Sequence, residues 1–151
     1  MSRKHNDIDI DLIQICVGSN LRKTSRVITQ LYDKFLHSTG LKITQYSMLV
    51  NIVRHKSISI SKLGEIMLLD QTTATRNVNN LKKNGFVNIT KDNYDSRVKI
   101  ITITDLGIKK LEEAHPIWLQ LQERIINDIG KEQYKRFLET LKSIQDIVSI
   151  I

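Results

Sequence analysis

Asp70-Gln71-Thr72-Thr73-Ala74-Thr75-Arg76-Asn77-Val78-Asn79-Asn80-Leu81-Lys82-Lys83-Asn84-Gly85 is the stretch whose reading decides the fold. Ala74, Val78 and Leu81 fall one helical turn apart, so the spacing predicts a helix with a narrow apolar stripe. Asp70 is placed to cap its start, and Gly85 supplies a left-handed stop. Away from the stripe the helix offers Gln71, Thr72, Thr73, Thr75, Arg76, Asn79 and Asn80, with no acidic residue after Asp70. Seven residues between Thr72 and Asn84 are Thr or Asn, which cost several tenths of a kcal/mol apiece in a helix. A merely solvated surface is better served by Glu, Lys, Gln and Ala. The choice points to a surface built of hydrogen-bond donors and acceptors.

Upstream, apolar residues recur at helical spacing between Asp11 and Ser38, with Leu21, Ile28, Leu31, Tyr32 and Phe35 on one stripe, and predict one long helix stopped at Gly40. Thr44 offers an N-cap for a second helix with Met48, Leu49, Ile52 and Val53 inward, ending near His55. Ser59 caps a short third helix with Leu63, Ile66 and Met67 inward, and a turn at Leu69-Asp70 leads into the helix quoted above. Two short helices joined by a tight turn present the second outward, with dimensions that suit a DNA major groove about 12 Å wide. Thr, Asn, Gln and Arg are the side chains that reach base edges and phosphates.

Downstream, Phe86–Thr90 and Val98–Ile103 read as two strands flanking the turn Asn93-Tyr94-Asp95-Ser96. The hairpin tip carries Lys91, Arg97 and Lys99, and a side chain there can enter the minor groove beside the major groove read by the helix. Asp95, two residues before Arg97, is placed to hold the guanidinium in a fixed orientation. As an isolated surface ion pair it would contribute little. Thr104 then caps a long helix with Leu111, Ile117, Trp118, Leu121 and Ile125. Pro116 is expected to kink it. Gly130 separates it from a last helix with Tyr134, Phe137, Leu138, Leu141 and Val148.

Asp95-Ser96-Arg97-Val98-Lys99-Ile100-Ile101-Thr102-Ile103-Thr104-Asp105-Leu106-Gly107 resembles the wing signature of the multiple antibiotic resistance regulator (MarR) family, Asp-x-Arg, a hydrophobic strand, then Leu-Thr-x-x-Gly. Ile103 stands where Leu is usual, a volume-conserving swap. Leu69 to Val78 and Leu81 to Val87 resemble the family's recognition helix and its exit. Asn20-Leu21-Arg22, Arg26, Tyr32-Asp33 and Gly40-Leu41-x-x-Thr44-Gln45 are similar to its first two helices, and Ala114-x-Pro116-x-Trp118 to its fifth in one branch. The resemblance implies a mainly α fold with a small β-hairpin wing, a single domain over 1–151. Its winged helix-turn-helix lobe spans 44–103, and helical dimerisation regions span 11–40 and 104–151. It further implies a homodimer reading the two halves of a palindromic operator in double-stranded DNA, with recognition helices about one DNA turn apart. The excess of Ile and Leu on the end helices is consistent with a partner chain.

Function in that family is usually repression relieved by a small molecule, often an aromatic anion, bound between the dimerisation helices and the winged lobe. In such a pocket Arg22 would meet the anion and Tyr32 would stack on the ring; equally, Arg22 is a solvated charge and Tyr32 a core aromatic. One branch senses organic hydroperoxides through a first-helix cysteine. Counting from Arg26 and Tyr32, that cysteine would fall at Gly18, two residues and about 200° around a helix from Cys16. Cys16 is therefore expected to be a small buried apolar residue, and thiol-based redox sensing through it is the alternative.

Composition agrees. The 151 residues carry 23 Lys and Arg against 16 Asp and Glu, net +7, which favours a polyanionic partner. Nine basic residues face four acidic ones between Arg54 and Lys99, so the excess is concentrated mid-chain. Met1 to Asp11 is polar and charged without an apolar stretch, and no run of 18 apolar residues occurs, so neither export nor a membrane partner is expected and a cytoplasmic location is. The one cysteine fits a reducing compartment. His5, His37, His55 and His115 are scattered, and no metal cluster, nucleophile with its base, or phosphate-binding glycine loop is legible. Neither an enzyme nor a cofactor is expected. The rival is a winged adaptor that binds protein rather than DNA, but such a groove would want exposed aromatic or aliphatic anchors where this helix has Thr, Arg and Asn.

Overall fold

A computed structural model describes residues 12–148; the expectations for Met1 to Asp11 lie outside them. The chain runs α1 (Leu12–Ile15), α2 (Val17–Leu36), a 3₁₀ turn (His37–Thr39), α3 (Ile43–His55), β1 (Ile58–Ser59), α4 (Ile60–Ile66), α5 (Gln71–Lys83), β2 (Val87–Lys91), β3 (Lys99–Ile103), α6 (Asp105–Ile129) and α7 (Lys131–Val148). The fold is mainly α with a small antiparallel sheet ordered β1-β3-β2.

The first helix expected as one piece is two, because Cys16 adopts an extended conformation between Ile15 and Val17. Gly40 stops the turn that follows at φ 75°. α3 begins two residues earlier than expected, at Ile43 with Lys42 in the cap position, and without the Thr44 cap. Its free N–H groups are met from elsewhere: the Asp33 carboxylate of α2 accepts from Ile43 N at 2.8 Å, and Gln45 Oε1 accepts from Lys42 N at 3.0 Å. The first of these ties α2 to the next lobe. Ser59, Asp70 and Thr104 cap α4, α5 and α6 through their side chains, as their positions predict.

The core lies where α3, α4, α5 and the sheet meet. Leu36, Leu49, Ile52, Leu63, Ala74, Val78, Leu81 and Ile101 are fully buried, and each large aliphatic among them contributes roughly 1.5–3 kcal/mol through burial. Ala74, Val78 and Leu81 are the predicted inward stripe of α5. Val53 and Ile66, expected inward, are instead exposed. They sit near helix ends, where the apolar stripe rotates off the core.

In the hairpin Val87 pairs with Ile103, Ile89 with Ile101 and Lys91 with Lys99. Both strands start one residue later than expected. The third strand, β1, pairs Ile58 with Ile101; two residues are too few for alternation to reveal. α6 continues through Pro116 as one helix.

Candidate nucleic-acid interface

Asp70 fixes the start of α5. One carboxylate oxygen accepts from Thr73 N and the other from Thr73 Oγ1, both at 2.8 Å. The backbone bond from Thr73, then its hydroxyl, hold the Asp70 carboxyl below its ordinary value. Thr73 is thereby occupied with the cap. Asn80 lies further along, its Oδ1 accepting from Asn84 Nδ2 at 3.3 Å.

Gln71, Thr72, Thr75, Arg76 and Asn79 form one concave polar patch on the outer face of α5, enclosing about 490 Å³. Gln71 Nε2 lies 3.4 Å from Thr75 Oγ1, and Arg76 is exposed. The structure therefore brings together five of the seven polar positions predicted on this helix, and leaves Thr73 and Asn80 outside the patch. α5 can present that patch because α4 crosses close beneath it: a Cβ on Gly64 would lie 3.2 Å from Ala74 Cβ and 3.3 Å from the Leu69 carbonyl oxygen.

At the hairpin tip Asp95 grips Arg97 with both oxygens. Arg97 Nε donates to Oδ1 and Nη2 to Oδ2, each at 3.0 Å, and Arg97 N also donates to Oδ1 at 3.0 Å. These bonds hold the Asp95 carboxyl below its ordinary value and the guanidinium above its own. The Arg97 side chain is nevertheless 90% exposed. An oriented but unburied guanidinium is presented outward from the protein. Lys99 stands exposed at the base of the tip, directly opposite Lys91.

The candidate ligand residues are separated. Tyr32 lines a cavity of about 440 Å³ between α2, α6 and α7, together with Leu21, Ile28, Gln122, Tyr134 and Leu141. Its hydroxyl donates to Gln122 Oε1, and Gln122 Nε2 donates to the Tyr134 hydroxyl at 2.6 Å. Burial, and then Tyr134, push the Tyr32 phenol above its ordinary value. Arg22 is exposed and does not line this cavity; ten residues of helix put it about 15 Å along the axis from Tyr32.

Cys16, expected buried, is exposed. The helix is broken at Cys16, which the helical count used for the expectation did not anticipate.

A cluster unforeseen in the sequence lies between α3 and α6. Tyr46 hydroxyl and His115 Nδ1 are 2.8 Å apart, and Trp118 stacks on both rings, 5.6 Å from Tyr46 and 5.8 Å from His115 between centroids. Beside it Tyr46, Val50, Val53, Leu111, Glu112, His115 and Pro116 enclose about 400 Å³. Burial raises the Tyr46 phenol. The only sequence signal was that His115 and Trp118 share a helix face.

The model of the MarR family matches residues 41–99, from just before α3 through α5 to the start of β3. Over that segment the chain is similar to the MarR family. Over a longer stretch of 125 residues it is 28% identical to the HTH-type transcriptional regulator SarZ of Staphylococcus epidermidis, covering 83% of this chain and 76% of that protein. In structure it is similar to the Mycobacterium tuberculosis regulator MosR in complex with DNA, with a TM-score of 0.78, 28% identity, and 88% and 98% of the two chains covered. It also superposes on a mutant of Escherichia coli MarR complexed with operator DNA, with a TM-score of 0.81 at 18% identity, covering 91% of this chain and 99% of that one. The fold of this chain, a winged helix flanked by long terminal helices, follows those structures along nearly its whole length.

Proposed function

We propose that this MarR-family transcriptional regulator acts in the cytoplasm as a homodimer on a palindromic operator, each protomer laying α5 in a major groove and Arg97 in the adjacent minor groove, and that it represses until a small ligand binds. The observation that carries the reading is the pairing of one polar patch on α5, holding Arg76 and no acidic residue, with an exposed guanidinium held by Asp95 in the neighbouring wing. Adjacent-groove recognition needs that combination, and a protein-docking adaptor does not.

Dimerisation is supported by the apolar surface that one protomer leaves uncovered on its terminal helices. Val17 and Val27 on α2, Leu119 on α6, and Phe137, Leu138 and Ile147 on α7 are all exposed, more than a soluble protomer needs to leave in water. Relief by a ligand is supported by the α3–α6 cavity, which joins the winged lobe to the long helix. Its Tyr46–His115 pair and the Trp118 ring beside them suit a flat polar molecule. In this reading the ligand meets Tyr46 and His115 rather than Arg22 and Tyr32.

Selection of bound fragments from random duplex DNA tests this reading. The expected product is an inverted repeat whose half-sites are centred about one helical turn, near 10 base pairs, apart. Arg97→Ala is expected to weaken binding to that fragment roughly tenfold or more while the protein stays folded, and Arg76→Ala to relax preference at one base pair of each half-site. Recovery of unrelated sequences with no repeat would sink the reading.

A further inference from the structure

Tyr94 sits at the wing tip with its side chain wholly exposed. Single exposed apolar residues are common, but this one stands on an ordered support. Asp92 Oδ1 accepts from Tyr94 N at 2.8 Å and from Asp95 N at 3.0 Å, and the loop is closed by Asp92 N to the Val98 carbonyl and Val98 N to the Asp95 carbonyl, both at 2.9 Å. The next residue, Asp95, is the one that clamps Arg97. Tyr94 and Arg97 are thus carried by one pinned turn, so little ordering remains when both engage a surface.

Two features identify that surface. At the base of the tip Lys91 and Lys99 are directly opposite on paired strands. Like charges in that position repel, and a polyanion laid across them relieves the repulsion. The residues around Tyr94, namely Asn93, Asp95, Ser96 and Arg97, are polar, and among the described residues no other large apolar side chain between Leu68 and Leu106 is exposed. A protein partner would want a cluster of apolar anchors; a lone amphipathic ring beside cations fits a nucleic-acid backbone, where tyrosine hydroxyls donate to phosphates.

We propose that Tyr94 is a further DNA-binding residue of the wing, its ring against the deoxyribose edge of the groove that Arg97 enters and its hydroxyl donating to a backbone phosphate. The inference rests on the adjacent-groove reading given under Proposed function. It adds a contact that is blind to base sequence.

The test is fluorescence anisotropy of a labelled mixed-sequence duplex in low salt with the full chain, its Tyr94→Ala and Tyr94→Phe variants, and Lys99→Gln. Tyr94→Ala is expected to weaken binding roughly tenfold, and Tyr94→Phe to lose part of that. Both are expected to keep the wild-type dependence on salt, since a neutral phenol displaces no counterion, whereas Lys99→Gln makes that dependence shallower. Wild-type binding with an undiminished Tyr94→Ala variant would overturn this inference alone. No wild-type binding to any duplex would overturn the adjacent-groove reading and this inference with it. Matching thermal unfolding of wild type and variants shows that a loss is one of contact and not of fold.

Discussion

Gly107 shows how tightly one atom is specified where the wing meets α6. A Cβ there would collide with the Phe86 carbonyl oxygen and lie 2.7 Å from Ile103 Cγ1. The same junction is held by Thr104, whose hydroxyl donates to the Gly85 carbonyl at 2.6 Å and accepts from Gly107 N at 3.1 Å. Gly107→Ala is expected to cost about 1–3 kcal/mol of unfolding free energy in urea titrations, because the strand exit must shift to admit the methyl group. Lys56 carries strain of another kind, with φ 59° in a three-residue turn closed by Ser57 N to the His55 carbonyl at 2.6 Å. Lys56→Gly is expected to raise the unfolding free energy from urea titrations by about 1 kcal/mol, as relief of a disfavoured backbone exceeds the entropy added to the unfolded chain. Of these two positions only Gly107 was legible beforehand, as the end of the wing signature. The turn at Lys56 has no glycine or asparagine to announce its positive φ.

Among elements, α5 was read almost completely from its residues, because cap, stripe and stop are each local chemistry. Asp70, the Ala74-Val78-Leu81 stripe and Gly85 stand where their types require. What local chemistry does not hold is the supply of partners from distant chain. The Asp33 carboxylate at the start of α3 and the pairing of β1 with β3 are both long-range, and there the expected Thr44 cap and two-stranded hairpin needed correction. The break at Cys16 was hidden for a different reason, since an unremarkable sequence, Ile15-Cys16-Val17, spans it. The cap also sets a pH dependence for α5. Asp70 is depressed below its ordinary value in the folded chain by the Thr73 bonds. Its contribution to stability is therefore present above the unfolded carboxyl value, about 3.9, and is lost as pH falls through the lower folded value. The stability difference between wild type and Asp70→Ala is expected to be constant from neutral pH down to about 5 and to shrink below 4, in urea titrations followed by circular dichroism. A difference that persists unchanged into strong acid would mean that the carboxylate form is not what caps the helix.

At the scale of the molecule, the charge balance and the two polar surfaces pointed to DNA before any coordinates, and the wing signature pointed to the family. The proposed ligand site was not legible, because it is lined by α3 and α6 side chains 69 positions apart, Tyr46 and His115, and no spacing rule joins them. The apolar excess on the terminal helices was legible as surplus, and the protomer leaves it uncovered, as the proposed assembly of two chains requires. The proposed function then reduces to a polyelectrolyte question. The most direct measurement is the affinity of the full chain for its selected duplex across a salt series, with stoichiometry from saturation. Two chains per duplex are expected, with log affinity falling linearly against log salt at a slope reporting several phosphates. Affinity that ignores salt, or saturation at one chain per duplex, would contradict the account.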